Sequence, residues 1–372
     1  MNLIKKVIAS AMTLITSLSM TISEARSTKK PFSSTIMHRW EVNTTDSGGT
    51  LIFSDSPEYV KEDGILYSDV VEGDARVLFY HLNDSKTNKK IAVVIENVVD
   101  KPNIVKITRG GTAEPSNKFL AVGKAVQAAY MRSDFQETLY MSSGDKQVLQ
   151  RSMDNVIIKP GQLIYGVYDF NATHRVRVTV LMCPSSSDPI EFLNTARILP
   201  KDEQRLRGTF KRMNRTITAK KIYDPEKDGI VYIVLADNVN DVYKTGIDAT
   251  DGSQVVNFGN YGINYKIDLR TKKNNLTRIC LSPLGGYYAG AMTANFEDGT
   301  SNVILTPEKR TYFGDKTPKE PDSVQKARER GHVLLTNYTE LAELGAYSGK
   351  ISFEYSPPGA SNLPVNLILM KN

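Results

Sequence analysis

The chain is poor in the residues that build catalytic and metal centres. Its 372 residues include two cysteines, four histidines and one tryptophan. Neither cysteine has a CxxC partner. No two of His38, His81, His174 and His332 lie close enough to ligate one metal from a single element, which excludes the common zinc motifs. There is no GxSxG elbow, no Walker A loop and no GxGxxG turn, so the usual nucleophile and nucleotide signatures are missing. Neither a metal nor a cofactor is expected. Like charges never run to five, and the formal charge of +6 is interspersed. That is a mild surface bias, not the basic stripe that nucleic acid requires. Beyond residue 25 no apolar run is long enough to span a bilayer.

What is present begins at the amino terminus. Lys5 and Lys6 precede an apolar stretch from Val7 to Ile22, followed by Ser23-Glu24-Ala25, a small-x-small cleavage pattern. The run is short and carries Ser and Thr, which suits a signal peptide over 1–25 better than a membrane span. Residues 26–35 read as a flexible mature amino terminus. The expected location is therefore the cell envelope or the exterior of a bacterial cell, with no transmembrane span once the signal is removed.

The remainder alternates short period-2 or wholly apolar runs with turn signals, the pattern of antiparallel strands. Runs such as Arg76–Leu82, Ile91–Asn97, Gln162–Phe170 and Arg175–Met182 predict strands, with Asn171-Ala172-Thr173 as a hairpin tip. The final run, Val365–Met370, predicts a strand zipped into a core. One segment, 116–131, has helical spacing through Phe119, Val122, Val126 and Tyr130, with Ser116 as its N-cap. Asp188-Pro189 opens a second, shorter helix. The fold class is thus mainly β, with a few short helices. Length favours two antiparallel β-sandwich-like domains, 36–200 and 201–372, with the charged stretch Lys201–Arg212 at the boundary.

Cys183 and Cys280 fall in different halves. Export permits a disulfide between them, which would staple domain to domain. Two buried free thiols are the alternative, and spacing does not decide between them. Asp224-Pro225-Glu226-Lys227-Asp228-Gly229 begins like a calcium loop, but Leu235 stands where a bidentate Glu is needed. Asp237, Asn238, Asn240 and Asp241 form a denser oxygen cluster that solvated loop polarity explains better than calcium. Two glycine–aromatic clusters carry the candidate ligand-binding residues: Tyr261 and Tyr265 in the first, Tyr287 and Tyr288 in the second. Glycine lets a ligand approach the backbone while tyrosine rings stack on it; tight turns and sheet packing are the competing explanation.

Several segments recur together: Gly64-Ile65-Leu66-Tyr67, Ala75 to Asn83, Ile91 to Asn97, Leu120 to Gln127, Gly259 to Gly262, Gly285 to Gly290 and Ala360 to Pro364. As a set they resemble a group of uncharacterised exported bacterial proteins often labelled copper amine oxidase N-terminal-domain-containing. The small domain itself is not evident in this chain, and neither a topaquinone-type tyrosine motif nor a histidine triad accompanies it. What the resemblance implies is an exported, envelope-associated protein, not copper binding or amine oxidation. The expected function is a non-enzymatic binding or structural protein contacting a wall polymer, glycan or surface protein. The alternative is a carbohydrate-active or other hydrolytic enzyme whose site is assembled from distant loops. A cleft holding two carboxyls, one of them desolvated, would favour that alternative.

Overall fold

The computed structural model describes residues 36–133, 135–283, 287–311, 333–334 and 341–372. The expected signal peptide, the tail at 26–35 and residue His332 lie outside the described residues. Strand accounts for 53% of the described residues and helix for 8%, so the protein is mainly β.

Two very long strands, Gly64–Asn83 and Leu163–Pro184, form the centre of an eleven-stranded sheet. They pair antiparallel, with Tyr80 opposite Tyr165 and Arg76 opposite Asp169. Towards their ends both strands are mostly buried on both faces, while the middle, around Glu72 and Asp74 and around Thr173 and Arg175, is polar and exposed. Val77 and Phe79 point into one core, Leu78 into another. The expected hairpin tip at Asn171–Thr173 is instead a register shift between Ala172 and Val176 within a single strand. An extra residue accommodated as a bulge bends a strand without reversing it.

Strand pairing crosses the domain boundary expected near residue 200. Thr50–Ser54 runs parallel to Gly64–Asn83 on one side and antiparallel to Arg207–Lys211 on the other. Residues Ile36–Asn372 form one compact unit. Part of the charge in 201–212 that suggested a boundary is held in ion pairs around Asp248 and Asp251. Arg207 Nε lies 2.9 Å from Asp248, and Lys201 Nζ lies 3.3 Å from Asp248 and 2.6 Å from Asp251.

Two six-stranded sheets complete the unit. In one, Val365–Lys371 lies between Val231–Leu235 and Thr277–Pro283, so the last apolar run is a central, buried strand as expected. In the other, Asn264–Thr271 lies between Asn214–Ala219 and Gly349–Tyr355. Ile233, Leu281 and Leu367 of the former share a core with Ile217, Ile267 and Phe353 of the latter, a sandwich-like packing.

The expected helix spans Phe119–Arg132, with Val122, Val126 and Tyr130 buried in that same core. Ser116 is not its cap; Ser116 instead pairs backbone to backbone with Leu163. The short helix Pro189–Leu193 has the predicted start, Asp188 Oδ1 accepting from the amides of Ile190 and Glu191 at 2.8 and 2.9 Å. Cys183 and Cys280 are free thiols in separate apolar clusters, the first beside Ala92 and Leu181, the second beside Met37 and Ile368. The inter-half disulfide is therefore not formed. Burial pushes the thiols up to about 12 and about 11, which keeps them protonated and unreactive. No helix among the described residues is long and apolar enough to cross a membrane.

Candidate ligand-binding site

A pocket of about 310 Å³ opens where six chain segments converge. Phe53 enters from Thr50–Ser54, with Asp55 and Glu58 on the loop that follows. Tyr80 comes from one long central strand and Tyr165 from the other. Gln204 and Leu206 precede Arg207–Lys211, Tyr261 sits in a glycine turn, and Gly359–Asn362 closes the far wall. The volume is at the lower end of the range that small-ligand sites occupy.

Each wall has a local cause. The 55–58 loop is pinned by Asp202, whose carboxylate accepts from Ser56 Oγ and from the Glu58 amide, both at 2.8 Å. Behind it, the fully buried His81 bonds Ser54 Oγ through Nε2 at 2.9 Å and Pro57 O through Nδ1 at 2.8 Å. The ladder register stacks Tyr80 and Tyr165 edge-on, ring centroids 5.8 Å apart. Tyr261 is held by Asn257, whose side chain accepts from the Tyr261 amide at 2.9 Å and donates to its carbonyl at 2.7 Å. The Tyr261 hydroxyl donates to Ser361 O at 2.8 Å, joining the glycine turn to the far wall. Gly359 is required by crowding: a Cβ there would sit 2.9 Å from Tyr80 and 3.1 Å from Tyr165.

The electrostatics are one-sided. Among the described residues, no lysine or arginine lines the pocket. Asp55 Oδ1 is buried with no hydrogen-bond partner among the described residues. Burial, reinforced by Glu58 and Asp202, holds the Asp55 carboxyl well above the ordinary carboxylate range. Glu58 is raised as well, by burial first and then by Asp202. The hydroxyls of Tyr80, Tyr165 and Tyr261 are pushed up by burial first and then by neighbouring groups that include Asp55.

Of the four tyrosines expected to stack on a ligand, only Tyr261 lines this pocket. Tyr265 is 0% exposed, its hydroxyl donating to Asp241 Oδ2 at 2.7 Å and accepting from Asn260 at 2.8 Å. Tyr288 is likewise 0% exposed, in the core shared by the two smaller sheets. Neither presents a face to a ligand, because the turns that suggested binding fold those rings inward. Tyr287 is 43% exposed and stands next to the pocket wall, its amide bonding Asn362 Oδ1 at 2.7 Å. The Asp237–Asp241 oxygens serve the turn and the core: Asp237 Oδ1 accepts the amides of Val239, Asn240 and Asp241, and Asp241 pairs with Arg215.

Asp55, Glu58, Tyr80 and Tyr165 were not legible as site residues. Asp55-Ser56-Pro57-Glu58 has ordinary loop composition, and the two tyrosines fit strand patterns. A wider groove, about 550 Å³, lies over Lys266, Asp268, Glu297 and Lys350. Its charges include the pairs Lys266–Asp268 at 3.5 Å and Lys350–Glu297 at 3.2 Å, with Arg270 beside them, so acid and base are mixed along it.

His81 makes the loop acid-sensitive. Burial pushes its imidazole from 6.5 down to about 4. Between those values the unfolded chain binds a proton that the folded one refuses, so this group's contribution to stability falls as pH falls through that window. The expected loss is about 3 kcal/mol at most. The raised carboxyls of Asp55 and Glu58 act in the opposite sense, since the folded state holds their protons longer. Urea unfolding across the same window should show His81→Asn with a shallower acid decline than the parent; equal slopes would exonerate the histidine.

No family model matches the chain, and no curated protein matches it. Among solved structures, a mutant of Bacillus subtilis oxalate decarboxylase OxdC is similar at TM-score 0.13 and 9% identity, over 88% of this chain and 78% of that one. An 11S allergen from Cocos nucifera is similar at TM-score 0.14 and 8% identity, over 90% of each. At such scores neither likeness carries an argument about fold or function.

Proposed function

We propose that this is an exported, envelope-associated binding protein that takes one ring of a glycan or wall polymer into the Tyr80–Tyr165–Tyr261 pocket. The observation that carries the reading is the pocket itself: three tyrosines and an unpartnered carboxyl oxygen around about 310 Å³, assembled from both halves of the chain. Aromatic faces with a few placed polar groups are what recognition of a polar ring requires. The amino-terminal residues Lys5 to Ala25 and the resemblance to exported bacterial proteins support the location.

Co-sedimentation of the full-length protein with isolated cell-wall material tests it. Binding should survive high salt and be lost in Tyr261→Ala, with Tyr261→Phe as a milder variant that keeps the ring. Binding abolished by salt reduces the interaction to surface charge, and absence of binding under both conditions overturns the wall-polymer reading.

A second reading is hydrolysis, favoured by one observation. Asp55 and Glu58 share the pocket, and Asp55 is the more strongly desolvated, the asymmetry that separates a general acid from a base. Release of reducing ends from wall polysaccharide, abolished in Asp55→Asn, would establish it; binding without release keeps the protein a binder.

A further inference from the structure

The charge of the pocket says more about its ligand than its shape does. Asp55 and Glu58 line it, Asp202 lies behind them, and among the described residues no cation lines it. Elsewhere in this protein enclosed carboxylates are neutralised by a guanidinium or an ammonium. Asp169 has Arg76, Asp241 has Arg215 and Asp248 has Arg207. Asp55 departs from that pattern, and one of its oxygens is buried with nothing to bond. An enclosed carboxyl without a partner is costly unless something else supplies the complement. Tyr80, Tyr165 and Tyr261 also line the pocket, and tyrosine rings are surfaces on which organic cations rest.

We propose that the ligand of this pocket carries an organic ammonium group, as a sugar with a free amino group does, seated between Asp55 and the rings of Tyr80, Tyr165 and Tyr261. The proposal rests on the glycan-pocket reading and names the chemistry of its ligand. A neutral sugar can bond Asp55 Oδ1 through a hydroxyl but brings no charge to offset the acidic wall, and an anionic one would add to that charge. A cation offsets it.

The proposal has a proton signature. Burial and its acidic neighbours raise the proton affinity of the Asp55 carboxyl, and an arriving cation favours the ionised form, so that where the carboxyl carries its proton, binding forms an ion pair and releases that proton to solvent. The two charged groups that act on Asp55, Glu58 and Asp202, both raise it. Glu58 lies on its own loop, Asp202 on the adjoining segment, and the hydroxyls of Tyr80, Tyr165 and Tyr261 on three other walls, with the neutral His81 behind the loop. Arg207 reaches Ser56 O at 3.3 Å, but its charge is taken up by Asp248.

Calorimetry on the full-length protein tests the idea with choline, whose charge does not titrate, against its neutral isostere 3,3-dimethylbutan-1-ol. Glucosamine and N-acetylglucosamine form a second pair. The cations should bind roughly tenfold or more tightly than their neutral counterparts. Choline affinity should rise with pH as the Asp55 carboxyl ionises, and the binding heat should depend on buffer ionisation where a proton is released. Asp55→Asn, an isosteric change, should weaken choline about tenfold or more and abolish the buffer dependence. Glu58→Gln, on the more exposed carboxyl, should weaken it less. Neutral sugars binding as well as cations, with Asp55→Asn unaffected, would overturn this inference and leave the glycan pocket standing. Absence of saturable binding by either pair, in a protein that still unfolds cooperatively, would overturn both.

Discussion

Arg76→Met is expected to cost about 3–5 kcal/mol of stability, read as a lowered urea midpoint. Arg76 is fully buried in the central strand, and its guanidinium spends every donor edge. Nε and Nη2 bond Asp169 at 2.6 and 2.8 Å, Nη1 bonds Met213 O and Gly262 O at 3.0 and 2.9 Å, and Nη2 also reaches Asn214 Oδ1 at 3.2 Å. The Tyr130 hydroxyl donates to the same Asp169, tying in the helix. One side chain thus links the two long strands, the helix, the start of Asn214–Ala219 and the turn that carries Tyr261. Methionine fills much of the volume but strands a carboxylate and two carbonyls in the interior, and the penalty for unmet buried groups exceeds the worth of the bonds themselves. Arg76→Lys should recover only part, since an ammonium does not reproduce the two-pronged grip on Asp169. A loss below about 1 kcal/mol in the methionine variant would show that water or rearrangement meets those groups.

Gly123→Ala should also destabilise, by about 1–3 kcal/mol, although alanine is the better helix former by about 1 kcal/mol. Gly123 faces inward on the helix Phe119–Arg132, and a Cβ there would lie 2.0 Å from Gly359 O. Backbone does not yield as a flexible side chain does, so the helix or the 356–362 segment has to move. That segment walls the pocket and is anchored by Gln127, which donates to Ser356 O while accepting from the Ala291 amide. The expected outcome is a lower melting temperature accompanied by weaker ligand binding. A variant that is more stable than the parent would mean that helix propensity outweighs the clash and that the contact is looser than its geometry states.

Both sites lie where distant segments meet, and this divides what was legible from what was not. The helix was legible because Val122, Val126 and Tyr130 repeat with the helical period, and the cap of the short helix because Asp188-Pro189 is a local signal. Its longer counterpart was misjudged at the start, since Ser116 was claimed by a bridge to Leu163 that no local rule reveals. Asn171-Ala172-Thr173 has turn composition, yet the partner strand keeps it extended and absorbs the irregularity as a bulge.

The tyrosines show the limit most clearly. Tyr261 and Tyr265 are four residues apart with similar neighbours. Tyr265 has its hydroxyl committed to Asp241 in the core, while Tyr261 stands at the pocket with its hydroxyl on Ser361. The partners that take up their hydroxyls lie 24 and 100 positions away, beyond any local pattern. Asp55 is the stronger case: its chemistry depends on Tyr80, Tyr165, Tyr261 and Asp202, none of them a sequence neighbour.

The sequence by itself determined that the protein is mainly β, where its helices fall and that its last strand is interior, since those follow from periodicity and burial of local runs. The tertiary structure decided that residues on both sides of 200 share sheets, that the cysteines stay apart, and that an ordinary acidic loop faces three tyrosines. Strand pairing and pocket electrostatics are long-range: hydrogen bonds and charges act on whatever the fold brings near, and their partners are set by the whole chain's packing.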